Sequence, residues 1–244
     1  EHPKNPAPVT IMGVVPETIV RIHSSWKHYS EYGNIFGFKP RFELRDGCLK
    51  YIENPIKSRQ HLHAFETHLQ HFRRTDYWYK NKFLKDILRP PYSYHLLRSW
   101  NRNGPLISEL ARGDRNAAWA RVLTRNFELC RNLYLDPDAE SLFLAEIAYF
   151  VQESYRLETQ PVLVIFPYLS DVEFCSENGC YYGDFLSKAT DLITVIDPLP
   201  WLLDGRPEVH SLYSSDFYGG HLTPRGNREM GRLIFEELLR RKMF

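Results

Sequence analysis

The sequence has no long hydrophobic run, few cysteines and almost no excess of charge. No apolar stretch among the 244 residues reaches the roughly 18–20 residues that a membrane-spanning helix needs, so we expect no membrane span. A net charge of +1 argues against binding to the phosphate backbone of nucleic acids. Four cysteines, widely dispersed, are too few for a disulfide scaffold. The composition, 43% hydrophobic and 14% aromatic, is typical of a folded globular protein.

Two of the cysteines are close in the sequence. Cys175 and Cys180 bracket the segment Ser-Glu-Asn-Gly, which is typical of a turn. The spacing would allow a local disulfide or a metal clip. One such pair without a second is a weak metal signal, so two free thiols are the favoured interpretation.

Four histidines lie in one predicted helix: His61, His63, His68 and His71. They match neither the zinc-protease pattern nor a carboxylate-paired two-metal motif. We therefore predict that this helix presents a solvated or partner-facing surface. The prediction includes no metal and no other cofactor.

Short apolar runs alternate with helical segments towards both ends of the chain. The runs in residues 8–16 and 161–168 are predicted to be buried strands, and residues 191–202 contain another strand, which ends at Asp197-Pro198. Residues 181–191 predict a helix, and Thr223 followed by Pro224 marks the start of a C-terminal helix. This order predicts an α/β protein with a parallel sheet that helices cover on both faces.

Residues 39–135 interrupt this alternation. Two apolar runs flank Arg-Asp-Gly at 45–47 and predict a β-hairpin. One helix is expected from Ser58 to about Leu88, ended by two prolines. Further helices are expected over 92–104, 105–134 and from Asp136-Pro137 to about Leu157, with Gly104 and Gly113 as boundaries.

We interpret residues 1–244 as one α/β domain that lacks its N-terminal strand. Residues 39–135 would be an insertion of a hairpin and helices within that domain. Residues 58–135 carry no recognised motif, and in the alternative of a binding or assembly module they would contact a protein partner.

An acidic residue and a histidine precede the C-terminal helix. In open parallel sheets, functional groups lie in the loops after the carboxyl ends of the strands, and His221 follows the last predicted strand. Asp216 could orient its imidazole, which would then accept a proton from a nucleophile. The alternative is that both are loop residues that cap the helix or contact water.

The loop after the first strand offers further candidates. Glu17 and Arg21 are one helical turn apart, so they could line a pocket at the carboxyl edge or form a surface ion pair. Asp197, which ends the last predicted strand before Pro198, could face the same edge or form a turn.

The segment DFYGGHLTPRGNREMGRLIFEEL, beginning at Asp216, resembles the C-terminal block of the SGNH (GDSL-type) serine esterases and acylhydrolases. The strands at 161–168 and 191–202 are similar to the last two strands of that family. The segment at 37–55, GFKPRFELRDGCLKYIENP, resembles one found in a bacterial subgroup. The family's usual spacing is Asp-x-x-His, whereas here four residues separate Asp216 from His221.

The resemblance implies a flavodoxin-like three-layer α/β/α fold and hydrolysis or transfer of O-acyl esters, on a small molecule, a carbohydrate or a lipid. It implies His221 as general base, Asp216 as its orienting group, and no metal. It also implies a Ser in a Gly-Asp-Ser motif, which the chain does not contain. Thr18 stands near the expected oxyanion Asn, so Glu17, Thr18 and Arg21 mark the substrate and oxyanion region.

Two explanations for the absent motif stay open. The residues could be the C-terminal part of a longer protein whose first strand and nucleophile precede them. The chain could instead be a non-catalytic relative that binds a partner through residues 58–135. Either way, these residues alone are expected to be inactive, because the covalent pathway needs the nucleophile.

Overall fold

The structure is a computed structural model that describes residues 7–31, 34–204, 208–214 and 220–243. The chain divides into two compact units. Glu1–Thr18 and Arg131–Phe244 form the first, which we call the sheet unit, and Ile19–Cys130 form the second, the helical unit. The insertion expected over 39–135 stays a prediction, and the helical unit begins earlier in the chain.

The secondary structure mixes α and β elements. The strands are β1 Val9–Val14, β2 Arg41–Arg45, β3 Cys48–Ile52, β4 Gln160–Ile165 and β5 Thr194–Ile196. The helices up to the end of the helical unit are α1 Thr18–Ile22, α2 Arg59–His63, α3 Phe65–Thr75, α4 Leu84–Asp86, α5 Tyr92–Arg98, α6 Trp100–Ala111 and α7 Arg115–Tyr134. The later helices are α8 Pro137–Arg156, α9 Leu169–Asn178, α10 Gly183–Thr190, α11 Leu199–Leu203 and α12 Pro224–Arg240. Tyr79–Phe83 form a π-helical turn, and Lys27–Tyr29 and Val209–Leu212 form 3₁₀ turns.

The sheet unit is built on three parallel strands in the order β1-β4-β5. β4 is central and apolar after its first residue, Gln160, and Val162, Leu163 and Val164 are fully buried. This confirms the prediction of an α/β protein with a parallel sheet. All three predicted strands are present.

Both faces of the sheet are covered. Val162 and Val164 pack with Leu238 of α12 and with Met243. Because side chains alternate along a strand, Leu163 points to the opposite face, where it is also buried. α8 contacts β4 and α10, and Phe143 of α8 stacks on Phe185 of α10 with the ring centroids 4.7 Å apart.

Two helices of the sheet unit begin where their capping residues predict. Asp136 Oδ1 accepts hydrogen bonds from Asp138 N and Ala139 N at the start of α8, at 3.0 and 3.3 Å. Thr223 Oγ1 accepts from Gly226 N at 3.1 Å at the start of α12. In each case a proline follows at the first helical position, where its missing N–H costs no hydrogen bond.

The helical unit contains the predicted hairpin. β2 and β3 pair antiparallel around a turn in which Asp46 and Gly47 have φ angles of 52° and 73°. An Asp-Gly pair tolerates this left-handed geometry, which matches the twist of the two strands. Arg41 at the start of β2 donates from Nε to the Thr75 carbonyl at 3.0 Å, so the hairpin is attached to the end of α3.

A buried carboxylate holds the helical unit together after α3. Asp76 Oδ2 accepts from the backbone N–H of Ser25 at 2.6 Å and of Trp26 at 2.8 Å. Its other oxygen accepts from Trp78 N at 2.8 Å, and the Ser24 hydroxyl donates to Oδ2 at 3.4 Å. The carboxylate thereby joins two segments about fifty positions apart in the chain.

A second buried charge cluster lies after the π-helical turn. Lys82 is buried, with its Nζ 3.4 Å from Asp86 Oδ2, and burial lowers the pKa of Lys82 to about 8. Arg102 of α6 donates to the same carboxylate, and Arg125 of α7 lies 3.7 Å from it. Asp86 therefore links α4, α6 and α7.

Two expectations about the helical unit were wrong. The single helix expected from Ser58 to about Leu88 is divided, because the chain turns at Ala64 and leaves the helical conformation at Asp76. The boundary expected at Gly104 is absent, since α6 continues through it. Inside that helix, a Cβ on Gly104 would lie 2.9 Å from the indole ring of Trp100, so glycine allows the ring to pack against the helix. The boundary at Gly113 is present.

We predict that Asp76→Ala strongly destabilises the protein. It would leave several buried donors without an acceptor, so the free energy of unfolding should fall by about 3 kcal/mol or more. Asp114→Ala is the matched control in the same unit, because the exposed Asp114 accepts one backbone N–H, from Ala117 at 2.8 Å, and should cost about 1 kcal/mol. Urea denaturation measures both. Equal losses of the free energy of unfolding in the two variants would show that the buried Asp76 contacts stabilise the protein no more than one exposed capping bond does.

Candidate functional site

The carboxyl ends of the three parallel strands meet at one edge of the sheet unit. The loops that follow β1, β4 and β5 begin there, at Val15, Phe166 and Asp197. This is the edge at which open parallel sheets carry their functional groups.

His221 lies at this edge and is exposed. Its imidazole meets the ring of Tyr168, which follows β4, edge to face with the centroids 5.6 Å apart. Its backbone is fixed, since the carbonyl of His221 accepts from Ser214 N at 2.7 Å and from the Ser214 hydroxyl at 3.0 Å. The structure thus places the predicted histidine beside the carboxyl end of the central strand.

Asp216 lies outside the described residues. Its role as the group that orients His221 therefore stays a prediction.

A different carboxylate is buried at this edge, that of Asp171 in the first turn of α9. One oxygen accepts from Tyr168 N and the other from the hydroxyl of Tyr181, both at 2.7 Å. Burial raises the pKa of Asp171 to about 6, and the nearby charge of Glu17 adds to the increase. Tyr168 thus connects the two groups, because its backbone binds Asp171 and its ring contacts His221.

The loop that carries His221 is held by close backbone approaches. The Tyr213 hydroxyl donates to the Pro167 carbonyl at 3.1 Å. Gly220 has a φ of 84°, and a Cβ there would lie 2.7 Å from Leu169 Cβ. A Cβ on Gly226, in the first turn of α12, would overlap the carbonyl oxygen of Leu212. Glycine is therefore required on both sides of the histidine.

The candidates after β1 make different contacts. The Glu17 charge acts on Asp171, so Glu17 belongs to the carboxyl edge. The hydroxyl of Thr18 accepts from Val15 N at 3.2 Å and closes the local turn. Arg21 belongs to the helical unit, where its Nε lies 3.9 Å from Glu31 Oε1. The predicted substrate and oxyanion region at these residues stays a prediction.

Asp197 forms a turn at this edge. Its Oδ1 accepts from Leu199 N at 2.9 Å where α11 begins, and burial raises the pKa of this carboxyl. The Asp197 side chain therefore accepts a hydrogen bond from the backbone of its own turn at the end of β5.

No metal-binding cluster is present among the described residues. Histidine, cysteine, aspartate and glutamate nowhere gather there in groups of three or more that could hold an ion. Of the four clustered histidines, His61 and His68 have their rings 5.7 Å apart. No helix within the described ranges is long and apolar enough to cross a membrane.

A groove of about 490 Å³ lies elsewhere in the sheet unit. Its lining includes Gln160 and Thr194, the first residues of β4 and β5, and Arg241 after α12. Because these residues mark the amino ends of the strands, the groove lies at the edge opposite His221. It is not part of the candidate site.

Three residues of this edge were not predicted as site residues: Tyr168, Asp171 and Tyr181. The strand was expected to extend to Tyr168, and α9 was not predicted. One signal was available, since Asp171 stands where an acidic side chain can accept from the backbone N–H three residues earlier, at a helix start.

The chain matches no known protein-family model, no curated protein and no solved structure. The site therefore rests on its own geometry and on the sequence resemblance.

We predict that Asp171→Asn alters how stability depends on pH. The folded pKa of Asp171 is raised to about 6, so the stability that its neutral form contributes is present below about pH 4 and lost as pH rises through 6. Asparagine keeps an acceptor for Tyr168 N and stays neutral. Between about pH 4 and 7 the wild type should lose up to about 3 kcal/mol relative to the variant.

Urea denaturation of both proteins across this pH range tests the prediction. The difference in the free energy of unfolding between the wild type and the variant at each pH removes the contribution of all other titrating groups. A difference that is constant between pH 4 and 7 would contradict the assignment to Asp171.

We also predict opposite effects for two glycines of α12. Gly226→Ala should lower the free energy of unfolding by about 2 kcal/mol, because the methyl group must displace the Leu212 carbonyl. Gly231→Ala, with nothing within 4 Å of the new Cβ, should raise it by up to about 1 kcal/mol through helix propensity. Thermal denaturation of the two variants and of the wild type measures these changes in stability. A stabilising Gly226→Ala would show that α12 does not need this close approach.

Proposed function

We propose that the chain forms part of an SGNH/GDSL-like hydrolase that acts on O-acyl esters, with His221 as general base and Asp216 as its orienting group. The observation that carries this proposal is the position of His221, exposed at the carboxyl edge of a parallel sheet and in ring contact with Tyr168. The sequence block around it, which resembles the C-terminal block of that family, supports the same assignment. The finer fold, a flavodoxin-like three-layer α/β/α arrangement, is proposed on the same resemblance.

The proposed chemistry is acyl transfer. His221 would accept the proton of an attacking hydroxyl and then donate it to the alcohol that leaves from the ester. The substrate would be an acyl ester of a small molecule, a carbohydrate or a lipid, and neither metal nor cofactor is required. The sequence contains no Gly-Asp-Ser, so no nucleophile is assigned within residues 1–244, and these residues alone are expected to be inactive or nearly so.

Hydrolysis of an aryl acetate by the protein as its gene encodes it tests this function. His221→Ala should reduce kcat/KM at least about a hundredfold, because a general base contributes a factor of that order. His210→Ala is the matched control, since His210 is an exposed histidine of the same unit, and it should leave turnover unchanged. Turnover that survives His221→Ala would exclude His221 as the base.

A second candidate function is a non-catalytic module that binds a protein partner through residues 58–135. It is favoured by large apolar side chains on α5 and α6 that are exposed, with Tyr92 at 62%, Leu97 at 75% and Trp100 at 53%. The two functions differ in reaction with a fluorophosphonate, which labels activated serines. Labelling together with ester turnover supports the hydrolase, and the absence of both leaves the binding module.

A further inference from the structure

The charge of the chain is divided unevenly between its two units. The helical unit, Ile19–Cys130, contains 20 lysines and arginines and 10 aspartates and glutamates, whereas the rest of the chain contains 11 and 20. The net charges are therefore +10 and −9, and they nearly cancel in the value of +1 for the whole chain. A charge asymmetry of this size favours an anionic partner for the helical unit.

Within the helical unit, residues 73–108 expose basic side chains and almost no acidic ones. The two carboxylates of this range are Asp76, which is buried, and Asp86, whose side chain is 9% exposed. Backbone donors bind Asp76, and Lys82 and Arg102 pair with Asp86. Six basic side chains of the range are exposed: Arg73, Arg74, Lys80, Lys85, Arg89 and Arg98. The surface of this range is therefore positively charged.

Residues 88–100, which we call the exposed segment, lie largely on the surface of the unit. Every residue from 88 to 94 is exposed, and the others are exposed or half-buried. Asp86 closes the base of the segment, because its carboxylate accepts from Arg102 Nε and its carbonyl oxygen from Asn103 Nδ2, the latter at 3.4 Å. The two ends of the segment are thus held together while its side chains face solvent.

Large apolar side chains lie beside the arginines of the exposed segment. Tyr94, Leu97 and Arg98 share one face of α5, because positions three and four apart on a helix are neighbours. Arg98 Nη1 lies 3.5 Å from the Tyr94 hydroxyl. Five apolar side chains of the segment are exposed: Leu88, Tyr92, Tyr94, Leu97 and Trp100. Leucine, tyrosine and tryptophan together with arginine are typical of surfaces that bind to the interface of a membrane.

We propose that the exposed segment binds to the surface of an anionic lipid bilayer. Leu97 and the aromatic rings enter the boundary between the headgroups and the acyl chains, while Arg89 and Arg98 contact the anionic headgroups. The segment lies on the bilayer and does not cross it, since α5 has 7 residues and a span needs about 20. The proposal is independent of the ester chemistry at His221.

A lipid surface fits these side chains better than other anionic partners do. Nucleic acids stack on aromatic rings, but they offer no apolar layer for exposed aliphatic side chains such as Leu88 and Leu97. A protein, the occupant in the second candidate function, would need an acidic group opposite each arginine. A bilayer supplies anionic headgroups and an apolar layer along one continuous surface.

Co-sedimentation of the protein as its gene encodes it with lipid vesicles tests the proposal. One set of vesicles is phosphatidylcholine alone, and the other contains an equal amount of phosphatidylserine. We expect binding to the mixed vesicles that added salt weakens, and at least about tenfold weaker binding to phosphatidylcholine alone. Equal binding to both sets would overturn the proposal. So would the absence of binding to either set, which is the result expected if the partner is a protein or a nucleic acid.

Two arginine variants test whether the charge acts at the exposed segment. Arg98→Glu should weaken binding to the mixed vesicles at least about tenfold, because it removes one favourable charge and adds a repulsive one. Arg59→Glu is the matched control, since it changes the net charge equally at an exposed arginine of the same unit outside the segment, and it should cost less than about threefold. Equal losses would show that the overall charge, and not this segment, determines binding.

Two leucine variants test the entry of an apolar side chain into the bilayer. Leu97→Ser should weaken binding at least about fivefold, because the burial of the leucine side chain in lipid is lost. Leu135→Ser is the matched control and should bind as the wild type does, since Leu135 is 76% exposed and Leu97 is 75% exposed, but Leu135 belongs to the sheet unit. Circular dichroism verifies that each variant is folded. Unchanged binding of Leu97→Ser would contradict the proposal.

Discussion

The buried carboxylate of Asp171 fixes the turn between β4 and α9, and the geometry of the carboxyl edge depends on it. A carboxylate out of water costs several kcal/mol unless donors replace the lost hydration. Here the backbone of Tyr168 and the hydroxyl of Tyr181 do so in part, and burial together with the charge of Glu17 still raises the pKa of Asp171. Because the ring of Tyr168 contacts His221, the carboxylate and the histidine form one connected arrangement. Shifted carboxyl groups at the edge of a sheet are typical of functional sites.

Much of the fold could be predicted from local sequence. Asp136-Pro137 and Thr223-Pro224 each specify a helix start within four residues, and both starts are observed. The hairpin follows from Asp46-Gly47, whose turn needs no distant contact. The parallel strands were predictable because runs such as β4 are apolar on both faces, which only a sheet covered on both sides can bury.

The remainder depends on contacts between distant residues. Nothing near Asp76 in the sequence shows that its carboxylate binds the backbone at Ser25 and Trp26, at one of the two places where the predicted helix is divided. The position of His221 at the carboxyl edge could be predicted, because it follows the last strand. Asp171 could not, since its significance comes from burial and from Tyr181, which lies ten positions away.

Helix α9 has one buried face, which begins with the carboxyl group of Asp171, and this restricts how its sequence can vary. Asp171, Val172 and Cys175 form its buried face, while Glu173, Ser176 and Glu177 are exposed. Substitutions that preserve the structure should therefore concentrate at the exposed positions. For the experimenter this marks a place for a spectroscopic label. A probe attached at Glu177 would lie on the exposed face of this helix without replacing one of its buried residues.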